Sequence, residues 1–376
     1  MIVFVAEMRN PKTRASSTQI MTRNILYGFN KLDHNTVFVP VIEDESDIED
    51  IEEYYAGLYR KIIFAFELSK HKRNVVLRQI SWLINTYNTK RSIVPKELID
   101  ELKCVENEVV LVSQSPSIDT ALLCKEVKKM MPSIRYIQYW GDPLALSLIS
   151  PPEYNIKRSI LKMIENKLHK SADRIVYGTE SLYQAETELF PKLKDKASFC
   201  RVCYMPDAID RQEGRSRILF GYYGNYYSNI RNIKPLYNAF VKNETVDLVI
   251  CGSSDLHFSS TNNVKIENRI PQSEVEVQES KLDVEICILN SVGIQIPGKI
   301  FYHSKTSKLI LVILDGPRKD EIRKELEKSN RFIFCDNNED DIGKAIRDIS
   351  SGIYSKHEFN YEYYSPSITC KEIIGV

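Results

Sequence analysis

Short apolar runs alternate with longer amphipathic stretches along the 376-residue chain. The apolar runs of the first half have strand length and lie at residues 1–6, 36–42, 108–113, 135–140, 174–177 and 199–205. Between them, apolar residues recur every three or four positions, which predicts helices at 18–29, 118–130, 156–169 and 181–189. Strands that alternate with helices in this way predict a parallel sheet covered on both faces.

The pattern lapses at residues 206–217, PDAIDRQEGRSR, where Pro, Gly and charged residues predict a linker. It then restarts, with strands predicted at 217–223, 246–251, 284–289, 308–314 and 332–335 and helices at 233–241, 272–280, 299–304, 319–329 and 342–350. A last helix, 368–374, follows Ser365 and Pro366, which suit the cap and the first helical position. The fold class is therefore α/β, with two doubly wound Rossmann-like domains in series.

Composition narrows the class of protein. The formal net charge is zero, 27% of the residues are charged and 43% are hydrophobic, so we expect a soluble globular protein and no nucleic-acid partner. The first apolar run is too short for a signal peptide or a membrane span, which predicts a cytoplasmic location. The acidic residues 43–53 predict a solvated helix start.

The eight cysteines lie mostly in apolar runs, where a reduced thiol behaves as a small hydrophobe. Cys200 and Cys203 form a C-x-x-C motif within a predicted strand, which would place the two sulfurs on opposite faces. No second pair completes a zinc site, so we expect structural thiols, with a metal or redox role as the alternative.

Residues 60–91 combine many Lys and Arg residues with Phe64, Phe66 and Trp82. A basic amphipathic helix can rest on an anionic membrane, which would bring the protein to the inner face of a membrane as a peripheral contact. The alternative is a pair of core helices with solvated basic faces.

In open parallel sheets, ligands bind at the carboxyl ends of the strands, where helices begin. One such turn, GYYGNYYSNIRNIKP (221–235), has Gly224 at the strand end and Arg231 and Lys234 at the mouth of the next helix. It is neither G-x-G-x-x-G nor a Walker loop. The two cations suit the two charges of a diphosphate; the alternative is a tight turn with solvated cations.

A second turn lies within ILNSVGIQIPGKIFYHSKTSKLILVI (288–313), where Pro297 and Gly298 lead into a predicted helix and Lys299 is in its first turn. A cation at that position opposes the helix dipole. A bound anion would remove the conflict; the alternative is an ordinary surface lysine.

Four segments resemble, in order, the donor domain of two-domain GT-B glycosyltransferases of the group 1-like kind, which build bacterial surface polysaccharides: RILFGYYGNYYSNIRNIKPLYNAF, VDLVICGSSD, NRIPQSEVEVQESKLDVEICILN and GIQIPGKIFYHSKTSKLILVI. The resemblance implies two doubly wound Rossmann-like domains facing across a cleft. It implies an acceptor domain at 1–206, a nucleotide-sugar donor domain at 207–356, and a segment at 357–376 that crosses back to the first domain.

The resemblance and the strand-end loops together give two sets of site residues. Donor contacts are predicted for Gly224, Asn225, Arg231, Lys234, Gly252, Arg269, Ile270, Gln295, Pro297, Gly298, Lys299 and Ile300. Acceptor contacts are predicted for Arg14, Ser17 and Trp140. The chain departs from the pattern at Tyr302, where many relatives carry Glu, and at Ile294 or Gln295, near the place of a second acid.

We expect the transfer to need neither metal nor cofactor, because the chain has no Asp-x-Asp pair and its own cations can stabilise a leaving diphosphate. The predicted catalytic residues are Arg231, Lys299 and Asp142; Asp142 would be the general base of an inverting enzyme, with Glu7 and Asp119 as alternatives. DNNEDD (Asp336 to Asp341) is a predicted turn, with metal binding as the alternative. The six histidines are scattered without paired spacing, and His303 has a candidate donor-site role.

The predicted function is transfer of a sugar from a UDP- or GDP-sugar to a glycan or lipid-linked acceptor. Two alternatives remain open: a sugar-nucleotide epimerase of the same architecture, and an inactive homologue that binds nucleotide or glycan.

Overall fold

The computed structural model describes residues 1–13, 16–66, 94–115, 117–147, 156–210, 214 and 216–376. The chain forms two compact units, Met1–Cys203 with Ser365–Val376, and Tyr204–Tyr364. Residues 357–364 therefore belong to the second unit, and only the last twelve residues join the first.

The first unit contains one parallel sheet of eight strands. Its strands are β1 (Ile2–Glu7), β2 (Thr36–Ile42), β3 (Lys61–Ile62), β4 (Ala65–Phe66), β5 (Val110–Ser115), β6 (Arg135–Trp140), β7 (Arg174–Tyr177) and β8 (Ala197–Phe199). Its helices are α1 (Ser17–Leu32), α2 (Ile48–Tyr55), α3 (Lys96–Lys103), α4 (Ile118–Met130), α5 (Ile156–His169) and α6 (Glu180–Leu189). The strand order is β3-β2-β1-β5-β6-β7-β8, and β4 also pairs with β2.

The second unit contains a parallel sheet of six strands in the order β11-β10-β9-β12-β13-β14. These strands are β9 (Leu219–Tyr223), β10 (Asp247–Cys251), β11 (Val264–Glu267), β12 (Val284–Ile288), β13 (Leu309–Leu314) and β14 (Ile333–Asp336). The helices of this unit are α7 (Lys234–Val241), α8 (Gln272–Glu279), α9 (Lys299–Tyr302), α10 (Lys319–Glu327) and α11 (Glu339–Ser350), and the chain ends with α12 (Pro366–Ile374) of the first unit.

Both strand orders are doubly wound: the chain builds outward from β1 or β9 in one direction and then returns to build in the other. Two Rossmann-like α/β domains are thus confirmed. In such a sheet the crevice for a ligand opens where the order reverses, which is between β9 and β12 in the second unit.

Several helices begin where polar side chains satisfy free backbone N–H groups. Ser16 caps α1 through a capping box with Gln19, and the Ser16 backbone N–H donates to Gln19 Oε1 at 2.8 Å. Asn338 caps α11 by accepting from the Asp341 N–H at 2.9 Å, so part of the DNNEDD cluster starts a helix.

The last helix, α12, packs against α1 within the first unit. Gly28 of α1 permits the contact, because a Cβ there would lie 2.5 Å from both Cys370 Sγ and the Pro366 carbonyl oxygen. The Cys370 thiol lies 3.3 Å from the Ile25 carbonyl oxygen.

The predicted strand at 199–205 is wrong. Pairing with β7 ends at Phe199, and residues 200–205 follow an irregular path although Cys200, Val202 and Cys203 are buried. The apolar pattern there reflects burial rather than strand pairing, so no strand separates the sulfurs of Cys200 and Cys203. All eight cysteines lie in the described part of the chain and are free thiols.

Candidate functional site

The crevice between β9 and β12 is bordered by loops that are hydrogen-bonded to one another. The Gly224 N–H donates to the Cys251 carbonyl at 2.9 Å, and the Tyr226 N–H donates to the Ser253 carbonyl at 3.1 Å. A Cβ at Gly252 would lie 2.0 Å from the Gly224 carbonyl oxygen, so only glycine allows this approach. The Asn225 side chain accepts from the Ser253 N–H at 3.2 Å. These contacts fix the backbone on one side of the crevice.

Arg231 crosses the point where the strand order reverses. Its guanidinium donates to Tyr222 Oη at 3.3 Å and to the Asn225 carbonyl at 3.2 Å, both near the end of β9. It also donates to Asn290 Oδ1 at 2.6 Å, just beyond β12. Asn290 in turn donates to the Gln295 carbonyl at 3.2 Å, so the same network shapes the second predicted turn.

Every acceptor of Arg231 is a neutral group. Among the described residues no carboxylate lies within ion-pair distance of this guanidinium, and its Nε–H is buried without a partner. A half-buried cation held by neutral acceptors keeps its charge available for an anionic ligand.

Lys299 is in a different environment, because its Nζ forms an ion pair with the buried carboxylate of Glu279. His303 Nε2 lies 3.3 Å from Glu279 Oε2 and 3.8 Å from Glu285 Oε1. The anion that resolves the conflict between Lys299 and its helix is therefore a side chain of the protein itself, which the sequence analysis did not foresee.

The charges in this cluster adjust one another's pKa values. Burial alone would raise the pKa of Glu279, but the charges of Lys299 and His303 outweigh it and lower the pKa to about 2. Burial raises the pKa of Glu285, against the opposing charge of His303. Burial would lower the pKa of His303, yet the two carboxylates raise it. The result is an ionised Glu279 whose carboxylate is stabilised chiefly by the ammonium of Lys299.

Tyr302 stands where many relatives have Glu, and its side chain is buried. A Cβ on Gly298 would lie 2.7 Å from Tyr302 Oη, so the tyrosine ring packs directly against the backbone of the predicted phosphate turn. The Tyr302 carbonyl accepts from the Met205 N–H at 2.8 Å.

The other predicted donor residues differ in exposure. Lys234, the first residue of α7, is exposed, as are Asn225 and Arg269. Ile270 is half-buried against the apolar cluster that contains Tyr223 and Cys251. Gln295, Pro297 and Gly298 are half-buried in the loop after β12, whereas the side chain of Ile300 is fully buried.

In the first unit, Asp142 is half-buried in the loop that follows β6. Trp140, at the end of β6, is fully buried and donates from Nε1 to Gln138 Oε1 at 3.2 Å, so its side chain offers no surface to an acceptor. Ser17 is exposed as the first residue of α1, and Arg14 lies outside the described residues. Glu7 forms an ion pair with Arg9 at 2.6 Å, and Asp119 lies in the first turn of α4.

Sequence reasoning missed the polar groups that surround Arg231, Lys299 and His303. Glu285 left a usable signal, because a carboxylate in the middle of the apolar strand VEICI must be buried and needs a partner nearby. Asn290 lies two residues beyond the end of that strand, which is where ligand-positioning residues lie in such sheets.

Most of the predicted membrane-contact segment, residues 60–91, lies outside the described part of the chain, which omits residues 67–93. Its first two residues, Arg60 and Lys61, are described and pair with Glu101. Among the described helices, none combines the length and the apolar character that a bilayer crossing requires.

No family model and no curated protein sequence matches the chain. Solved structures do match over nearly its full length. The glycotransferase of kitacinnamycin is 13% identical with a TM-score of 0.53, covering 99% of this chain and 97% of its own. The UDP-GlcNAc 2-epimerase of Neisseria meningitidis, bound to UDP-GlcNAc, is 12% identical with a TM-score of 0.51, covering 100% and 99%. A Listeria monocytogenes protein described as a UDP-N-acetylglucosamine 2-epimerase is 10% identical with a TM-score of 0.52, covering 99% and 94%.

At these identities the likeness concerns the fold alone. The chain has the GT-B fold, which glycosyltransferases and 2-epimerases share, as the sequence resemblance predicted.

Proposed function

We propose that the protein is a glycosyltransferase that moves a sugar from a nucleoside-diphosphate sugar, UDP- or GDP-linked, to a glycan or lipid-linked acceptor, in the synthesis of a bacterial surface polysaccharide at the cytoplasmic side of the membrane. One observation carries the proposal: the half-buried guanidinium of Arg231 is fixed at the reversal of the strand order by Tyr222, Asn225 and Asn290, and no carboxylate of the described chain neutralises it.

The reaction leaves a diphosphate whose negative charge grows as the glycosidic bond breaks. A cation that is already held in place stabilises that charge without reorganising in the transition state. Arg231 meets this requirement, and the exposed Lys234 lies close by in sequence at the start of α7. The transfer then proceeds without a metal at the diphosphate. Lys299 contributes by holding the turn, since Glu279 already pairs with its charge.

The acceptor hydroxyl must lose its proton, and we assign this step to Asp142 in an inverting mechanism. Asp142 follows β6 in the same kind of position that Asn290 occupies after β12, which is the carboxyl end of a parallel strand. An Asp142→Asn variant tests the assignment: it should bind the donor like the wild type and lose acceptor-dependent turnover.

Donor binding can be tested by thermal denaturation with UDP, GDP and CMP, each with EDTA and with Mg²⁺. We expect UDP or GDP to raise the melting temperature to the same extent in both conditions, because a ligand stabilises the state it binds. Stabilisation that requires Mg²⁺ would contradict the metal-free mechanism, and no response to any nucleoside diphosphate would contradict the proposal as a whole.

An epimerase is the second candidate, because the structure brings two acids, Glu279 and Glu285, close to His303. Incubation with UDP-N-acetylglucosamine and no acceptor separates the two reactions. An epimerase converts the sugar at carbon 2, whereas a transferase releases UDP only slowly until an acceptor is added. Binding with neither product would indicate the inactive homologue.

A further inference from the structure

A second buried cluster lies in the first unit, where the ring of its histidine packs against Trp140. It consists of Glu165 and His169 on α5 and Glu186 on α6, all with fully buried side chains. One ligand atom from each lies within 4.8 Å of the others. Glu165 and His169 are four residues apart, so they share one face of the helix.

The side-chain amide of Gln138 determines which ring nitrogen of His169 carries the proton. Trp140 Nε1 can only donate, and it points at Gln138 Oε1 from 3.2 Å, which fixes that atom as the amide oxygen. His169 Nδ1 lies 3.1 Å from the same oxygen and must therefore carry the proton. Nε2 is left with a lone pair, 3.5 Å from the Tyr177 hydroxyl. A ring that donates from Nδ1 to a carbonyl oxygen and presents Nε2 is how metal-binding histidines are held.

The carboxylate oxygens of Glu165 and Glu186 also have lone pairs that no hydrogen bond of the described structure uses. Both oxygens of Glu186 are buried without a hydrogen-bond partner in the described structure. The two oxygens of Glu165 accept from the Leu144 and Ala145 N–H groups at 3.1 and 2.9 Å, which leaves each a further lone pair. An unpartnered buried carboxylate is costly, and a ligand that accepts its lone pairs removes that cost.

We propose that Glu165, His169 and Glu186 form a buried site for one divalent transition-metal ion, with Zn²⁺ favoured by the nitrogen and carboxylate ligands. Two carboxylates neutralise a dication, so the occupied site carries no net charge. Ligands bonded at about 2 Å to one ion lie about 3–4 Å apart, which small side-chain rotations provide. The second oxygen of Glu186 or the Tyr177 hydroxyl completes the coordination.

The ion has a structural role in this arrangement. It joins α5 to α6 and, through Glu165, holds the backbone of residues 144–145, which closely follow Asp142. The proposal concerns the fold of the first unit and is independent of the sugar-transfer proposal.

The neutral imidazole suits this role. Burial, with the nearby charge of Lys196, lowers the pKa of His169 to about 3. Burial and the charge of Glu165 raise the pKa of Glu186. The other cluster of acids and histidine, around Glu279, already contains the ammonium of Lys299.

The test uses the full chain, with any affinity tag removed. The protein is stripped with a chelator, titrated with Co²⁺ to follow the visible d–d absorption, and then competed with Zn²⁺; the zinc retained after purification is measured by mass spectrometry. We expect one ion per chain, a Co²⁺ spectrum typical of low coordination number, and a rise in melting temperature on adding Zn²⁺. Wild-type protein that binds neither ion overturns the proposal, even if the variants fail to fold.

Three variants locate the ion. Glu186→Gln, which keeps the size of the side chain, should weaken Zn²⁺ binding at least about 100-fold, beyond the loss usual for an outer-shell partner. Glu188→Gln, on an exposed position of the same helix, and His303→Gln, in the other cluster, should retain it. Binding that survives Glu186→Gln or that is lost in His303→Gln would overturn the assignment.

Discussion

Arg231 and Lys299 are both half-buried cations near the strand ends of the second sheet, but they differ in what surrounds them. Lys299 has a buried carboxylate at its ammonium, whereas Arg231 has a hydroxyl, a carbonyl and an amide. The first arrangement is self-contained and stabilises the fold. The second leaves a positive charge that only a ligand can neutralise, so the two residues should respond differently to substitution.

Arg231→Ala should lower kcat/KM for sugar transfer about 100-fold, the loss typical for removing one donor that stabilises transition-state charge. The free energy of unfolding should change little, because all three acceptors of Arg231 are neutral. Steady-state kinetics and urea denaturation measure the two effects. Lys242→Ala, which removes an exposed cation paired with Glu339, is the control. Full activity in Arg231→Ala would remove this residue from the mechanism.

Lys299→Met should lower the free energy of unfolding by about 2–4 kcal/mol, because it leaves Glu279 buried without its main counter-ion. The range allows for the 36% exposure of the lysine side chain. The double variant Lys299→Met with Glu279→Gln should recover at least half of the loss, since it removes both charges. Urea denaturation of the three proteins decides the matter: a single variant as stable as the wild type, or a double variant no better than the single, would show that the pair does not stabilise the fold.

Sequence reasoning identified both cations but could not show which of them is already neutralised by a side chain of the protein. The counter-ion of Lys299 lies twenty residues earlier, on α8, and the acceptors of Arg231 belong to two different strand ends. Whether a cation is already neutralised is a property of tertiary contacts, which residue spacing does not reveal. The same reason hid the proximity of His169 to Glu186, although Glu165 and His169 have i, i+4 spacing in the sequence.

At the scale of elements, segments with a clear apolar pattern were predictable, whereas the shortest and the most polar strands were not. The helices 118–130 and 156–169 and the strands 36–42, 135–140 and 174–177 have the predicted bounds. Strands β3 and β4 have two residues each, too few to show an alternation, and β11 lies in a polar stretch. The buried segment after β8 is the opposite case, because its apolar run predicted a strand that the structure lacks. An apolar run is also consistent with an irregular segment that is buried by packing.

Gly28→Ala should destabilise the protein by about 1–3 kcal/mol, because the added methyl group would collide with Cys370 and Pro366 of α12. Gly343→Ala is a matched control inside α11, where the nearest atom is the end of the Arg347 side chain at 3.4 Å. It should stabilise by about 0.5–1 kcal/mol through helix propensity alone. Chemical denaturation measures both changes. Equal effects at the two positions would show that α12 does not pack closely on α1.

The stability of the metal-free protein should fall as the pH rises. The pKa of Glu186 is raised from 4.5 to about 9, so its contribution is complete below about pH 4.5 and is lost as the pH rises toward 9. Glu165 acts in the same direction up to about pH 7. His169 acts oppositely, because its lowered pKa makes stability fall below about pH 6.5. The loss should approach about 1.4 kcal/mol per pH unit for each proton released.

Denaturation with a chelator from about pH 6.5 to about pH 9 tests this dependence, with Glu186→Gln predicted to flatten the slope and Glu188→Gln to keep it. A slope that is the same in Glu186→Gln as in the wild type would assign the pH effect to another group.

At the scale of the whole molecule, the alternation of strands and helices was enough to predict two doubly wound domains, and the comparisons agree on the fold. The reaction is a different matter, since proteins described as transferases and as epimerases share this architecture. What distinguishes them must come from groups such as Arg231 and the Glu279 cluster, whose chemistry the fold does not determine.

The two units should bind different ligands, and hydrogen exchange can measure the protection of each unit in the same molecule. A nucleoside diphosphate should slow amide exchange in the second unit, at residues 223–231, 251–255 and 289–299, because these loops border the reversal at β9 and β12. Zn²⁺ should slow exchange in the first unit, at residues 141–147 and along α5 and α6.

A nucleoside monophosphate, which lacks one phosphate, should protect the loop around Arg231 less than the diphosphate does. In Arg231→Ala the diphosphate footprint should shrink while the zinc footprint stays unchanged, because the two sets of residues belong to different units. A diphosphate footprint confined to the first unit would contradict the proposed donor site, and a zinc footprint confined to the second would contradict the proposed metal site.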